Sequence, residues 1–263
     1  AVAGSFYPAN PDDLRRMIAR MTTPDARRTK ALAVIAPHAG YVYSGAVAGA
    51  VYSSVEIPAS CLVLAPAHRP TRTLFALMEE GLWETPLATI PIDAGLAKDL
   101  RSRCPLVQSD PAAHAEEHSL EVQLPFLQYF RPDVSIVPVN VSYRAGLADL
   151  EALGRAAAQA IQASGKDVLL VASTDMSHYL SASAARELDV QAIDRILALD
   201  PEGLVKVVRQ EDISMCGVLP TAAALFAARI LGAGRAELIR YATSGDVTGD
   251  DREVVAYAGL VIA

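Results

Sequence analysis

The sequence predicts an α/β fold with a largely parallel central sheet, on two observations. Short apolar runs rich in Val, Ile and Leu recur along the chain, and they are continuous rather than alternating, which is typical of strands buried on both faces. Segments with helical periodicity lie between these runs. Strands that alternate with helices form parallel sheets covered by helices. No linker or low-complexity stretch divides the chain, so we predict one domain over residues 1–263.

In chain order, five apolar runs are predicted as strands: Ala31–Ala36, Cys61–Ala65, Val134–Val139, Val168–Ala172 and Val254–Ile262. Two further segments match the strand pattern less closely: Leu87–Ile92 and Leu238–Ala242. Six segments are predicted as helices: Asp12–Arg20, Ser44–Ser53, Ala94–Arg103, Gly146–Ala163, Ala182–Leu199 and Gly217–Leu231. Gly165 fits the C-terminal end of the fourth helix. The spacing of Gly40, Gly45 and Gly49 differs from that of phosphate-binding loops, and we expect these glycines to permit a tight turn and close helix packing.

Composition restricts the function classes. The chain carries 23 Lys and Arg against 30 Asp and Glu, a net charge of −7, which disfavours nucleic acid as a partner because like charge repels phosphate. The longest apolar runs are too short for a transmembrane helix, so we expect no membrane partner. Three widely spaced cysteines make no disulfide framework, and Ala1–Pro8 lacks the features of a secretory signal. We therefore expect a reduced, cytoplasmic protein.

Three predicted strands each deliver a histidine at their carboxyl ends. His38 follows the first strand, His68 follows the second, and His178 follows the Val168–Ala172 strand. A single histidine after a strand is ordinarily a hydrogen-bonded loop residue. Three of them share one sheet edge if these strands are neighbours, and ligands of open α/β sheets bind at that edge. Because neutral imidazole is the commonest protein metal ligand, the pattern predicts a shared functional site.

Two acid–histidine pairs have a spacing of three. Asp175 and His178 form one pair, and His118 and Glu121 form the other. On a helical turn such residues share a face, where the carboxylate can orient the ring and raise its basicity. This arrangement suits a base or a metal ligand. The alternatives are a helix cap for Asp175 and a solvated first-turn acid for Glu121.

The cysteines and aromatic residues have separate contexts. We expect Cys61 to be a core residue and Cys104 to be a structural or exposed thiol. Cys216 directly precedes an Ala-rich helix, whose N-terminus would lower the thiol pKa, although the residues alone favour a buried structural cysteine. Tyr41 and Tyr179 adjoin the histidine motifs, so we predict that they line a substrate pocket, whereas aromatic residues are otherwise core residues.

At these motifs the sequence resembles the Memo-like family, whose prokaryotic members are often called AmmeMemoRadiSam system protein B. The resemblance rests on five ordered segments and spans essentially the whole chain: 37–45 (PHAGYVYSG), 66–68 (PAH), 117–127 (EHSLEVQLPFL), 173–179 (STDMSHY) and 216–217 (CG). It implies the fold of class III extradiol (LigB-type) dioxygenases, a single three-layer domain with helices on both faces of a central mixed sheet. By family association it also implies AMMECR-like and radical-SAM partner proteins.

The resemblance implies a metal site as well. The family ligands fall on His38, His68 and Cys216, and Asp175 and His178 line the same pocket. The dioxygenases bind non-haem iron(II) with two histidines and a carboxylate, whereas the third position here is a cysteine. A thiolate shifts the metal preference toward copper, zinc or thiolate-ligated iron, which argues against ring-cleaving activity.

Three functions remain open from the sequence. The first is an oxidoreductase dependent on iron or copper, in which His178, oriented by Asp175, acts as acid or base together with His118. Glu121, Tyr41 and Tyr179 would contact its substrate. The second is a hydrolase in which zinc or another Lewis acid lowers the pKa of a bound water. The third is a non-catalytic module that binds a peptide, a small molecule or a metal.

Overall fold

The computed structural model of the chain describes residues 1–23 and 26–263. Its strands are β1 Ala33–Ala36, β2 Ser60–Pro66, β3 Phe75–Leu77, β4 Leu82–Glu84, β5 Thr89–Pro91, β6 Val107–Ser109, β7 Ser135–Val141, β8 Val168–Ser173, β9 His178–Leu180, β10 Ala236–Thr243 and β11 Val254–Ile262. Its helices are α1 Pro11–Met21, α2 Tyr41–Ser54, α3 Ala94–Arg103, α4 His118–Glu121, α5 Leu124–Phe130, α6 Leu147–Ser164, α7 Ala182–Leu197, α8 Pro201–Gln210, α9 Val218–Leu231 and α10 Gly245–Thr248. A 3₁₀ turn covers Pro111–His114.

The main sheet is mixed, with a parallel centre. Its strand order is β10-β11-β1-β8-β2-β7-β3-β6, and β9 pairs with β11 outside this path. The neighbours β1, β8, β2 and β7 are parallel, whereas β11 runs antiparallel to β1, and β3 runs antiparallel to β7. Because β1, β8 and β2 are adjacent and parallel, their carboxyl ends meet at one edge. The predicted α/β fold with a mixed, largely parallel sheet is confirmed.

Helices cover both faces of this sheet because its central strands are apolar on both sides. In β2, Leu62 and Leu64 pack on one face with α3, α6, α7, α8 and α9. Cys61 and Val63 pack on the other face with α1, α2, α4 and α5. Gly49 lets α2 approach α1 closely, since a Cβ at this position would overlap the carbonyl of Met21. The small, apolar composition of α2 therefore serves packing, as expected.

Several predicted elements differ from the structure. Leu87–Ile92 contributes only the short β5, which pairs with β4 in a separate two-stranded sheet. The helix predicted over Ala182–Leu199 ends at Leu197, because Leu199 adopts a positive φ of 53° and Asp200 caps α8, which begins at Pro201. The sequence reasoning missed α8, the four-residue α10 and the three-residue strands β3, β4, β6 and β9. No helix in the described part of the chain has the length and apolarity needed to span a bilayer.

Candidate metal centre

Three residues from distant parts of the chain converge at the carboxyl edge of the sheet. His38 follows β1, His68 follows β2, and Cys216 precedes α9. Their ligand atoms all lie within 4.8 Å of one another. The Sγ of Cys216 is 3.3 Å from Nε2 of His38, and the two imidazole rings are 5.2 Å apart. The convergence that the strand ends and the family resemblance predict is therefore present.

The distance between Cys216 and His38 matches the separation of two ligands of one metal ion. Nitrogen and sulfur ligands at about 2.1 and 2.3 Å from a tetrahedral ion are separated by about 3.6 Å, and two nitrogens by about 3.4 Å. The distance of 3.3 Å between the Cys216 sulfur and the His38 nitrogen is close to that value. Three protein ligands would leave one position of a tetrahedral ion open, an arrangement typical of catalytic rather than structural sites.

A buried hydrogen-bond chain fixes the tautomer of His38. The hydroxyl of Ser173 donates its proton to the carbonyl of Ser119 at 2.6 Å, so its oxygen can only accept from other groups. The amide of Gln123 donates to that oxygen at 2.8 Å, and Nδ1 of His38 lies 2.9 Å from it. Nδ1 of His38 must therefore carry the proton, which leaves the lone pair on Nε2, the atom that faces Cys216.

A buried carboxylate holds His68 in the same way. The backbone N–H of His68 donates to Oε2 of Glu117 at 2.6 Å, and Nδ1 of His68 lies 2.9 Å from Oε1. Ser119 N–H also donates to Oε1, so Glu117 caps α4 as well. Although burial acts to raise the pKa of Glu117, the hydrogen bonds from His68 and Ser119 lower it to about 2. A carboxylate that orients a histidine ring is characteristic of metal sites.

Close backbone packing places Cys216. A Cβ at residue 217 would overlap the carbonyl oxygen of Ser173 and the side chain of Thr174, so only glycine lets this loop approach the end of β8. Gly217 N–H then donates to Oγ1 of Thr174 at 2.9 Å, and Asp175 N–H donates to the Cys216 sulfur at 3.2 Å. The expectation of a lowered thiol pKa is wrong in this structure. Burial, together with the nearby Asp175 carboxylate, raises the pKa of Cys216 to about 12.

Asp175 and His178 are not on a helical turn, contrary to the sequence reasoning. Asp175 lies in the loop after β8, where its Oδ1 accepts the backbone N–H of His38 at 2.8 Å and its Oδ2 is 4.0 Å from Nε2 of that residue. Burial raises the pKa of Asp175. His178 begins β9, and its Nδ1 donates to the carbonyl of Ser214 at 3.0 Å. Ser214, rather than Asp175, therefore orients the ring of His178.

His118 is a third histidine of the cluster, whereas Glu121 binds the N-terminal segment of the chain. The ring of His118 lies 4.8 Å from that of His68, 5.6 Å from that of His38 and 4.7 Å from that of Phe6. Glu121 is buried, not solvated as the alternative interpretation had it. Its Oε1 accepts the hydroxyl of Tyr7 at 2.7 Å and the backbone N–H of residue 2 at 2.8 Å. Glu121 thus anchors the N-terminal segment rather than the ring of His118.

The histidines differ in their affinity for protons. Burial lowers the pKa of His38 well below its ordinary value, and the neighbouring His68 and His118 lower it further. Burial also lowers the pKa of His118. The hydrogen bond to Glu117 raises the pKa of His68. The buried His38 is thus held neutral, which is the ligand form of imidazole.

The two predicted pocket tyrosines lie in different environments. Tyr41 is buried in the core, where its hydroxyl donates to the carbonyl of Val122 and its ring packs 4.7 Å from that of Phe126, so the structure does not bring it to the pocket. Tyr179 adjoins His178, is 77% exposed and has a positive φ of 60°. A non-glycine residue in this conformation is strained, which is more frequent at functional sites. Its substrate contact stays a prediction.

Sequence reasoning missed the residues that orient the histidine rings. Glu117, Ser173, Gln123 and Ser214 hold the imidazole rings, and none was a candidate site residue. Glu117 had a usable signal, since it directly precedes His118 at the start of a helix, where a capping acid is expected. The other three carry no local signal.

The fold and the site together define an α/β protein with a candidate His2Cys metal centre at the carboxyl edge of its sheet. The chain belongs to the family described as Memo-like protein, whose model matches residues 1–261. A MEMO1 family protein of Methanothermobacter thermautotrophicus is 43% identical over 99% of this chain and 98% of its own length. A MEMO1 family protein of Methanopyrus kandleri is 40% identical, and one of Aquifex aeolicus is 37% identical. Each of these two alignments covers 99% of this chain and 97% of the relative.

A solved structure supports the fold. The crystal structure of the uncharacterized protein JW3007 from Escherichia coli K12 superposes with a TM-score of 0.53, covering 86% of this chain and 98% of that chain. The two sequences are 18% identical, so this likeness concerns the fold alone.

Proposed function

We propose that this protein is a metal-dependent oxidoreductase whose resident ion is iron or copper. The observation that carries the proposal is the convergence of His38, His68 and Cys216 with their ligand atoms within 4.8 Å. A mixed nitrogen and sulfur donor set with an open position suits a redox metal that reacts with a substrate. When bound, the ion would supply electron transfer and a position at which a small molecule coordinates.

The protein's own residues prepare the site for that role. Ser173 and Glu117 each hold a proton on Nδ1 of a histidine, so that Nε2 of His38 and Nε2 of His68 present lone pairs. This arrangement needs no rotation of the rings before metal binds, which favours affinity. Asp175 closes one side of the site through its bond to the backbone of His38 and remains buried beside it.

His178 and His118 are the proposed proton-transfer groups. Nδ1 of His178 donates to Ser214, which leaves Nε2 as the atom that accepts or donates a proton. His118 lies between the ring of Phe6 and that of His68, and Oε1 of Glu117 is 3.6 Å from its Nδ1. Neither is required by the three-ligand set, so both are available for acid–base chemistry.

The test measures metal content and turnover together. The protein is purified anaerobically, its metals are quantified by mass spectrometry, and oxygen consumption is followed with reductant. Iron or copper with oxygen uptake supports the proposal. Zinc without uptake favours the hydrolase, and a metal that supports no turnover favours the binding module. His178→Ala is expected to keep most of the metal and to lose the activity. A variant that loses the metal instead would make His178 a ligand and contradict the assigned roles.

We also propose a cytoplasmic location. All three cysteines are free, and Cys61 and Cys104 are buried in the two separate core clusters, which suits a reducing compartment. Association with AMMECR-like and radical-SAM proteins is a proposal that rests on family membership. Co-purification of tagged protein from its own organism tests it, and a metal-loaded protein that retains neither partner would contradict it.

A further inference from the structure

Three arginines lie on two adjacent loops, one of which carries His68, although the chain as a whole has a net charge of −7. Arg69 and Arg72 belong to the loop that carries this histidine after β2. Arg144 belongs to the loop after β7, the parallel neighbour of β2. In that pair Pro66 is opposite Val141, and the N–H of residue 67 donates to the carbonyl of Val141 at 3.0 Å. The two loops therefore leave the sheet side by side, about one strand spacing apart.

The guanidinium of Arg144 is held in place without neutralisation of its charge. Its Nη2 donates to the carbonyl of Thr71 at 2.8 Å, and its Nε donates to the hydroxyl of Ser142 at 3.4 Å. Both acceptors are neutral. The guanidinium thus bridges the two loops and remains exposed.

The carboxylates nearby do not balance these charges. Glu116 pairs with Arg69 at 3.2 Å. Within residues 1–23 and 26–263, no carboxylate oxygen lies within 4 Å of Arg72 or Arg144. Both arginines are exposed, and Tyr143 between the strand end and Arg144 is 68% exposed. Within the described ranges, two guanidinium groups without a carboxylate partner and one exposed aromatic ring thus lie on the two loops that leave the sheet at the His68 end of β2.

We propose that Arg72 and Arg144 bind the anionic group, a carboxylate or a phosphate, of a small-molecule substrate whose other end reaches the metal centre. A guanidinium presents a planar fork of donors that matches both anions. Arg144 is already fixed by its bonds to the loops, so less conformational entropy is lost on binding. Tyr143 offers an apolar surface next to the charge. This inference rests on the proposed function, since the anion site serves a substrate of that centre.

The experiment titrates metal-free protein with phenyl phosphate, with benzoate and with neutral benzyl alcohol at low ionic strength, using calorimetry. Arg72→Gln and Arg144→Gln are each expected to weaken binding of the preferred anion about tenfold. Arg155→Gln is the matched control, because it removes the same charge from an exposed arginine on α6 that pairs with Glu151. Arg144→Gln also removes the bridge between the loops, whereas the Arg72 side chain makes no hydrogen bond or ion pair with the described residues. Thermal unfolding of both variants therefore separates an effect on binding from an effect on folding.

The outcomes distinguish a phosphate from a carboxylate ligand, and they distinguish failure of this inference from failure of the proposed function. Tighter binding of phenyl phosphate assigns a phosphate, and tighter binding of benzoate assigns a carboxylate. Equal affinity in the wild type and all three variants, benzyl alcohol binding as tight as either anion, or no saturable binding at millimolar probe would overturn the inference. The titration uses metal-free protein, so its result is independent of the assay of metal content and oxygen uptake. Only a negative result in that second assay would refute the proposed function.

Discussion

Substitution of Glu117 by Gln provides the sharpest test of how the site is built. The carboxylate of Glu117 accepts three hydrogen bonds: from His68 N–H at 2.6 Å, from His68 Nδ1 at 2.9 Å and from Ser119 N–H at 3.0 Å. All three partners are donors, and a glutamine amide has only one accepting oxygen. At least one buried donor therefore faces the NH2 group and stays unpaired, at a cost of about 1–3 kcal/mol in the free energy of unfolding.

Both amide orientations also weaken metal binding. If the NH2 group faces the backbone of His68, the loop that carries this residue must shift. If it faces Nδ1, it can donate only after the ring moves its proton to Nε2, which removes the lone pair needed by the metal. Loss of an orienting carboxylate typically lowers metal affinity by about 10- to 100-fold. We expect a decrease in that range for Glu117→Gln.

The assay combines urea unfolding of metal-free protein with titration by Co²⁺ and Zn²⁺. Glu116→Gln is the matched control, because Glu116 is the adjacent residue and forms an exposed pair with Arg69, worth about 0–1 kcal/mol. Equal stability and equal metal affinity in the two variants would refute the assignment of Glu117 as the group that orients His68.

Three further outcomes follow from the same geometry. Cys216→Ser is expected to weaken copper and zinc binding strongly, whereas Cys216→Asp retains a site and moves it toward iron(II); equal affinities for all three metals in wild type and variants would make Cys216 an ordinary thiol. Gly217→Ala forces a Cβ against the carbonyl of Ser173, so the free energy of unfolding in urea should fall by about 1–3 kcal/mol, and metal affinity should fall as well. A variant with unchanged stability and affinity contradicts the packing argument. The pKa of Glu117 is lowered from 4.5 to about 2, so its contribution, about 3 kcal/mol at most, is fully present above pH 4.5 and lost as the pH falls toward 2. Unfolding of metal-free protein across that range should show this loss, and Glu117→Gln should lack it.

The candidate ligands were predictable in part because strand ends are a local property. The runs before His38 and His68 are continuous and apolar, so their burial and their carboxyl ends could be identified without the structure. Cys216 was identified only through the family resemblance, since its neighbours alone favoured a buried structural residue. Short strands such as β3 and β6 have only three residues each, too few for a periodic signal.

The spacing rule failed for Asp175 and His178 because the segment between them is not helical. The N–H of Met176 donates to the carbonyl of Ala256, and the N–H of Ala256 donates to the carbonyl of Ser177. Pairing with β11 therefore extends the chain, and side chains three apart point in different directions. His118 and Glu121 have the same spacing and do lie on α4. The carboxylate of Glu121 nevertheless accepts the hydroxyl of Tyr7 rather than a hydrogen bond from the His118 ring.

The sequence by itself determined the layered α/β architecture, because burial of continuous apolar runs and of helix faces is encoded locally in hydrophobic periodicity. It also determined that His38 and His68 each follow the carboxyl end of a strand, whereas the sheet order, with β8 between β1 and β2, brought those two ends to one edge. Only the tertiary structure decided which group orients which ring: Glu117 for His68, Ser173 for His38 and Ser214 for His178. The physical reason is that these hydrogen bonds join residues 36 to 135 positions apart, whose proximity depends on how whole elements pack.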